Sequence, residues 1–463
     1  MQLSFSSAAA RVALPALLGS LLLGCSPDQT APTPTAGKLD LSRYVAVGDN
    51  YTAGYSDGGL TLDGQQYSIP ALLDQQFAQA LGGTSTFSQP LMPAGTGSGF
   101  LSLRPPFLTA NGQPVTARVT SGRTTRGVFI NTNACGGGTD TTFLYSRATN
   151  TLPQNLGVPF MRLSQIELTG LGNEANLRRV DQFNPFLERL LPAADNRTYL
   201  QAVTDASANA TFFTFFMGLG DALPYVLTGG DCTTALPNST INANAKKILD
   251  RLTAGGRPGI ICLVPNNLRT LPLLGRGSNA RVQALLAPGD TVFVRTFPAN
   301  IVRPMDSKDD YLLPSGLAQL GVAQTVTLPG GGTASLRYGL DRRNPISRRD
   351  VLDLAEYTRV NPAITALNTE LVRLADVVYK IPVVNRGSGG VSVFDQVAGR
   401  ISINGVEYSD EPVRGNFYSL DQYSLTPRGN AIMSNAIIRE INRFYGASIP
   451  LLDPNTLPST AKQ

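Results

Sequence analysis

Six residues lie where apolar runs or turns end, and their side chains set the chemistry that this chain could perform. In chain order they are Asp49, Asn50, Gly220, Asp221, Asp421 and Ser424. Two of the preceding strands are expected to end at one cleft, so Asp49 and Asp221 could form a carboxylate pair for general acid–base work. A structural or ligand-binding role for these two carboxylates is the favoured interpretation.

The chain contains no histidine. Serine–histidine nucleophilic catalysis is therefore excluded, and a zinc site is not expected. The cysteines show no spacing typical of metal ligands, and no Ser-x-x-Lys pattern falls near the six residues. We expect no metal and no cofactor.

The composition fits a large folded domain. The chain has 463 residues, of which 42% are hydrophobic, and 38 Lys and Arg residues stand against 33 Asp and Glu residues. The resulting net charge of +5 is small for this length, and the basic residues are scattered. A nucleic-acid partner is therefore not expected.

The first 24 residues have the pattern of a processing signal. An apolar run at 12–23 is too short for a typical membrane span, and Gly24 alone separates it from Cys25. The junction Leu-Leu-Gly-Cys resembles the lipobox of bacterial lipoproteins, which implies removal of 1–24 and attachment of acyl chains such as palmitate to Cys25. An ordinary secretory signal followed by a chance cysteine is the alternative.

The lipoprotein resemblance also implies a location. Residues 25–38 are polar and proline-containing, which predicts a flexible tether to a membrane. Ser26 occupies the position where an inner-membrane retention signal carries aspartate. The expected location is the cell envelope of a Gram-negative bacterium, with the lipid anchor in the outer membrane.

Three further cysteines would lie in an oxidising compartment. Cys135 and Cys232 both occur in glycine-rich loops, so a disulfide between them is possible, although sequence cannot establish it. Cys262 lies in the apolar run 259–264 and is predicted to be a buried, inert thiol.

Apolar runs and helical stripes alternate along the chain. Strands are predicted at 44–47, 211–217, 259–264 and 381–384, and helices through 69–77, 245–252, 360–374 and 426–446. This alternation predicts an α/β fold in which helices cover both faces of a mostly parallel sheet. Ser68 and Thr426 are the predicted N-caps of the first and last of these helices.

Two stretches are weakly periodic and rich in turn residues. We interpret the regions near 95–195 and 276–347 as long insertions in a single domain that spans 39–450, followed by a C-terminal tail at 451–463.

Four blocks resemble the SGNH/GDSL hydrolases, and most closely their long bacterial lipoprotein members. The blocks are YVAVGDNYTAG at 44–54, FFMGLGD at 215–221, YSLDQYSLTPRG at 418–429 and, more weakly, GTGSG at 95–99. The resemblance covers nearly the whole mature chain and implies a three-layer, flavodoxin-like fold. It also implies ester hydrolysis by a serine nucleophile, a histidine base and an oxyanion hole.

The catalytic positions of that family are degenerate in this sequence. Asn50 stands at the nucleophile, Gly220 at the oxyanion asparagine and Ser424 at the histidine, whereas Asp421 is retained as the residue that would orient the histidine. The expected binding cleft comprises Asp49, Asn50, Gly97, Gly220, Asp221 and Asp421.

Three hypotheses for function follow. The favoured one is a catalytically inactive, membrane-anchored lipoprotein that uses the family's cleft to bind a glycan or an acyl ester. The second is an esterase or lipase with a non-standard catalytic group, and the third is an envelope lipoprotein that docks a partner through its long insertions. A cleft that is filled in the folded protein would argue against both catalysis and binding there.

Overall fold

A computed structural model describes residues 33–461, apart from 84–85, 110–111, 122–124, 131–138, 144–146, 148–150, 178, 180–181, 231–237, 277–279, 284–285, 297–299 and 387–391. Pro34–Gln463 form one compact unit. The signal peptide, Cys25, and the proposed Cys135–Cys232 pair all lie outside the described residues.

The strands are short and the helices vary in length from one turn to five. The strands are β1 (Tyr44–Gly48), β2 (Phe100–Leu108), β3 (Pro114–Val119), β4 (Thr125–Ile130), β5 (Thr139–Phe143), β6 (Asn155–Gly157), β7 (Phe212–Phe216), β8 (Gly259–Cys262), β9 (Gly275–Arg276), β10 (Phe293–Arg295), β11 (Val302–Pro304), β12 (Tyr311–Leu312), β13 (Ala323–Thr327), β14 (Thr333–Arg337), β15 (Val351–Leu352), β16 (Val383–Val384), β17 (Ile401–Ile403) and β18 (Val406–Tyr408). The α-helices are α1 (Asn50–Ala53), α2 (Leu62–Gln66), α3 (Ile69–Leu81), α4 (Pro185–Glu188), α5 (Tyr199–Ser207), α6 (Leu219–Val226), α7 (Asn238–Leu252), α8 (Ala280–Gln283), α9 (Pro314–Gln319), α10 (Leu354–Arg373), α11 (Val393–Ala398) and α12 (Pro427–Tyr445). A π-helical segment, Leu374–Tyr379, follows α10 directly.

Five parallel strands form the central sheet in the order β16-β8-β7-β1-β6. Counted along the chain, this order is 2-1-3-4-5, which doubly wound α/β sheets use. The order reverses between β1 and β7, where Tyr44 pairs with Phe212 and Gly48 with Phe216. Ligands of such sheets bind outside the carboxyl ends of the strands at this reversal. A ligand site is therefore expected there.

Each face of the sheet carries its own hydrophobic core, because side chains alternate along a strand. Ala46, Phe212 and Ile260 pack with α3 and α12 on one face. Val47, Phe213 and Ile261 pack with α5, α7 and α10 on the other. The prediction of an α/β fold with helices on both faces of a parallel sheet is therefore confirmed.

Two helix starts occur where the sequence predicts them. Ser68 Oγ accepts the N–H of Ala71 at the start of α3. Thr426 Oγ1 accepts the N–H of Gly429 at the start of α12, and Pro427 occupies the first helical position.

The region near 95–195 does not lie wholly outside the domain core. It contains the antiparallel pairs β2–β3 and β4–β5, which stand apart from the central sheet. It also supplies β6, which pairs with β1 as an edge strand of that sheet. The fifth strand of the sheet thus comes from a stretch without strand-like periodicity.

The region near 276–347 forms small antiparallel sheets with a core of its own. Val294, Leu312 and Ile346 are fully buried there, and the hairpin β13–β14 projects from this core. This insertion therefore has its own hydrophobic stabilisation.

The two ends of the described chain meet beside α12. Thr35 and Ser448 exchange two backbone hydrogen bonds, with N···O distances of 3.3 and 2.9 Å. Farther along, the side-chain amide of Asn435 forms two hydrogen bonds with the backbone N–H and C=O of Leu452. Residues after 450 therefore pack along α12.

Cys262 is fully buried in β8 and is a free thiol, as predicted. Burial raises the pKa of this thiol far above its usual value, so it is unreactive at neutral pH. Within the described ranges, no helix is both long and apolar enough to cross a bilayer.

Replacing the N-cap of the last helix tests the role of Thr426. Thr426→Ala removes the acceptor for the Gly429 N–H and a donor to Asn416 O, and we expect a loss of about 1–2 kcal/mol in unfolding free energy. Urea denaturation measures the change. Thr369→Ala, at an exposed position within α10, is the matched control and should change stability by less than about 0.5 kcal/mol. A loss in Thr426→Ala no larger than in this control would contradict the capping role.

Candidate functional site

The residues at the reversal of strand order are joined by one buried carboxylate. Asp49 follows β1 directly and is completely buried. Its Oδ2 accepts the N–H groups of Gly218 and Gly220, at 3.1 and 2.9 Å. These donors belong to the turn after β7 and the first turn of α6, so Asp49 joins the ends of the two neighbouring strands.

Asn50 is also fully buried. Its side chain is hydrogen-bonded to the backbone of the segment 157–163, which we call the covering loop. Its Oδ1 accepts the N–H of Phe160 at 2.9 Å. Phe160 has a positive φ of 59°, a conformation that costs free energy for a large side chain. The Asn50 amide therefore supports a strained residue.

Gly220 lies against the same loop. A Cβ added there would meet Met161 O at 2.1 Å and Met161 C at 2.9 Å. No side chain of any size fits between α6 and this backbone. Packing therefore excludes an asparagine at this position.

The covering loop, residues 157–163, closes the place where the strand order reverses between β1 and β7, which we call the reversal point. It begins at Gly157, where a Cβ would lie 2.4 Å from the Ala53 nitrogen of α1. It continues past Asn50 and Gly220 to Leu163 and Ser164, whose N–H groups donate to the Asp221 carboxylate at 2.7 and 3.2 Å. The crevice that doubly wound sheets commonly use for ligands is occupied here by the chain itself.

Asp49 and Asp221 therefore do not face a shared open cleft. Each carboxylate accepts two backbone N–H groups from a different segment. Burial raises the pKa of Asp49 to about 7, against the opposing effect of the N–H groups of Gly220 and Gly218. Burial likewise raises the pKa of Asp221, against the N–H groups of Leu163 and Ser164.

Asp421 belongs to a second cluster. Its carboxylate accepts the N–H groups of Gly58, Tyr423 and Ser424 and the hydroxyl of Ser419, at 2.7–3.1 Å. Burial raises the pKa of Asp421, and the N–H of Ser424 opposes this most strongly. No hydrogen bond in the described part of the chain joins Asp421 or Ser424 to Asn50.

Gly97 lies with this second cluster. A Cβ there would meet Leu60 O at 2.2 Å, and the neighbouring Ser98 Oγ accepts the N–H of Leu60 at 2.7 Å. The turn at 57–60 thus connects Gly97 on one side with Asp421 on the other. The predicted cleft residues divide into Asp49, Asn50, Gly220 and Asp221 at the strand ends, and Gly97 and Asp421 around this turn.

Aromatic rings connect the two clusters. The Tyr55 ring lies 5.2 Å from that of Phe160 in the covering loop and 6.4 Å from that of Tyr423. Tyr51 donates its hydroxyl proton to Tyr423 O at 2.9 Å. The clusters are therefore neighbours in one packed core.

An open cavity of about 610 Å³ lies beside the second cluster. Its lining includes Gly58 and Asp421 together with residues of β3, the start of α9 and the segment 420–423. Asp49, Asn50, Gly97, Gly220 and Asp221 do not line it.

Two contributors to this arrangement are absent from the residues predicted for the site, namely Arg118 and the turn that begins at Asp57. Arg118 lines the cavity, and its guanidinium donates to the carbonyls of Gly58 and Ser98 at 3.0 and 3.2 Å. The Asp57-Gly58 dipeptide is a turn signal that could have marked the 57–60 connection. Arg118 lies in a weakly periodic stretch and gives no comparable local signal.

Comparison of the chain with protein-family models, with curated proteins and with solved structures finds no match. Among the described residues, no group of three or more Cys, Asp or Glu side chains is placed to bind a metal ion.

A methyl group at Gly220 tests the close packing of the covering loop. We expect Gly220→Ala to lower the unfolding free energy by about 3 kcal/mol or more, because the added carbon overlaps backbone that cannot move independently. Gly332→Ala is the matched control, since nothing lies within 4 Å of its added Cβ. Chemical denaturation compares the two, and equal stability would contradict the closed reversal point.

The buried Asp49 predicts a pH dependence of stability. Its pKa rises from 3.8 to about 7 on folding, so between these values the folded protein retains a proton that the unfolded chain releases. Stability from this group is therefore full below pH 4, falls as pH rises towards 7 and is then constant. The fall approaches about 1.4 kcal/mol per pH unit at most.

Thermal unfolding between pH 4.5 and 8 measures this effect. Asp49→Asn does not titrate, so its melting temperature should fall less with rising pH than that of the wild type. The remaining decline reflects groups such as Asp221 and Asp421, whose pKa values burial also raises. Asp205→Asn, at an exposed position, should keep the wild-type slope, and equal slopes for wild type and Asp49→Asn would refute the prediction.

Proposed function

We propose that this chain is a lipid-anchored envelope protein with an SGNH-hydrolase-like fold that binds a ligand and does not hydrolyse it. The closed reversal point carries the proposal. Asn50 is committed to the Phe160 N–H, and Met161 backbone occupies the space above Gly220. A substrate carbonyl has no position there from which a nucleophile and an oxyanion donor could both be reached.

The SGNH-like part of the proposal is supported by where the matched blocks lie. The first block spans the end of β1, the second the end of β7, and the third precedes α12. These elements belong to a parallel sheet of order 2-1-3-4-5 and to the helix that packs on one face of it. The blocks thus follow the elements that the resemblance requires.

The binding part of the proposal is supported by the cavity beside Asp421. At about 610 Å³ it falls within the range of about 300–1,000 Å³ that is common for small-molecule sites. A glycan or an acyl ester remains the proposed ligand class. The proposed binding site lies at this cavity and not at the strand ends, which the covering loop closes. Lipid attachment at Cys25 would place the domain at the outer membrane.

Activity assays on the purified full chain test the absence of hydrolysis. We expect no turnover of short-chain p-nitrophenyl esters or acetylated sugars above the rate with heat-denatured protein. A fluorophosphonate probe should leave the chain unlabelled, because no serine has a histidine partner.

If turnover is observed, the variants Asp49→Ala and Asp221→Ala test whether either carboxylate is responsible for it. A rate that persists unchanged in both variants would come from a contaminant or from another site. Turnover that disappears in either variant would overturn the proposal and favour an unusual carboxylate mechanism. Probe labelling would instead favour a hydrolase with a relocated serine.

A further inference from the structure

The cavity beside Asp421 is enclosed mainly by insertions. The hairpin β2–β3 forms one wall, residues 313–318 at the start of α9 contribute another, and the segment 420–423 joins them. Leu273 N–H donates to Gln422 O at 3.2 Å and connects this segment to residues after β8. The chemistry of the walls therefore reflects this chain rather than its central sheet.

The Asp421 carboxylate already accepts four hydrogen bonds. Three of them, from Ser419 Oγ–H, Tyr423 N–H and Ser424 N–H, reach Oδ1, and the fourth, from Gly58 N–H, reaches Oδ2. The role of Asp421 is to fix the turn at 57–60 and the segment 420–424 against each other. Because an ionised carboxylate only accepts hydrogen bonds, an anionic group in the cavity must be recognised by another residue.

Arg118 is the charged group in the cavity that retains free donors. Its Nη1 and Nη2 each donate once, to Gly58 O and Ser98 O. A guanidinium has five N–H donors, so three remain. Its two partners are neutral carbonyls, and no carboxylate of the described residues forms an ion pair with it.

The surrounding sequence reinforces this positive charge. Residues 75–166 contain six arginines and one aspartate. This stretch includes the whole β2–β3 hairpin and contains no glutamate or lysine. The hairpin that carries Arg118 therefore has no acidic side chain of its own, and Arg104 adds a second positive charge to it.

Most of the remaining lining is apolar. These side chains include Leu101, Leu227, Leu273, Leu313, Pro314 and Leu420. The amides of Gln113 and Gln422 are hydrogen-bonded to each other at 3.1 Å. A fully polar ligand would leave the leucine walls in contact with its hydroxyl groups, whereas an uncharged hydrocarbon would leave the Arg118 donors without an acceptor.

We propose that the cavity binds a small monocarboxylate with an apolar tail. Its carboxylate accepts hydrogen bonds from the free N–H groups of Arg118, and its tail lies along the leucine side chains. A single guanidinium balances one negative charge, which favours a monocarboxylate over a phosphate dianion. This inference rests on the proposed binding function and replaces its ligand class, because a free carboxylate is neither a glycan nor an ester.

Titration calorimetry with hexanoate tests the proposal. The full chain is placed in lipid nanodiscs, and the heat from protein-free nanodiscs is subtracted. We expect hexanoate to bind at least tenfold more tightly than hexanamide, which has the same tail without charge, and more tightly than acetate, which has the charge without the tail. Equal binding of hexanoate and hexanamide, or no binding of hexanoate, would overturn the proposal.

Variants of the two walls locate the site. Arg118→Gln should weaken hexanoate binding about tenfold, the effect of losing one charge-assisted hydrogen bond, while Arg118→Lys should keep part of the preference over hexanamide. Arg104→Gln is the matched control, because Arg104 is exposed on β2 and does not line the cavity. Binding that is unchanged in Arg118→Gln would contradict the assignment.

A third variant separates binding from folding, since Arg118 also contacts Gly58 and Ser98. Ala318→Trp adds bulk to the opposite wall at an exposed position of α9. It should abolish hexanoate binding without changing the melting temperature by more than a few degrees. Hexanoate binding that persists in this variant would refute the site, whereas esterase turnover without hexanoate binding would refute the proposed function as well.

Discussion

The Asp49 carboxylate is the interaction on which the arrangement of the strand ends depends. It accepts N–H groups from Gly218 and Gly220 and so fixes the start of α6 against the end of β1. This geometry brings the backbone of Gly220 up to that of Met161, which requires a residue without a side chain. The free-energy cost of burying a carboxylate here is offset only while both donors keep their positions.

Local patterns were sufficient to predict several elements that contribute to the two hydrophobic cores of the sheet. The runs at 44–47 and 211–217, and the stripe at 360–374, correspond to β1, β7 and α10. Their periodicity reflects burial on one or both faces of the sheet, which a sequence records directly. β6 has three residues in a stretch without periodicity, so its place in the sheet depends on pairing that no local pattern encodes.

The candidate site was harder to predict for the same reason. The residues matched to the hydrolase family were located at strand ends and before α12, but whether they share an opening depends on the segment 157–163, which lies far from them in the chain. The contact of Gly58 with Asp421 spans 363 residues. The scarcity of acidic residues in 75–166 is visible in the sequence, and it indicates an excess of positive charge in the stretch that includes Arg118.

The pairing of Thr35 with Ser448 has a mechanical consequence. The two backbone hydrogen bonds join the start of the domain to the residues directly after α12. Tension applied through the preceding chain therefore loads this pairing and the last turn of α12 before it reaches the central sheet. The Asn435–Leu452 pair shares that load along the same helix, so a pull at the first residues of the domain would be resisted by its last helix.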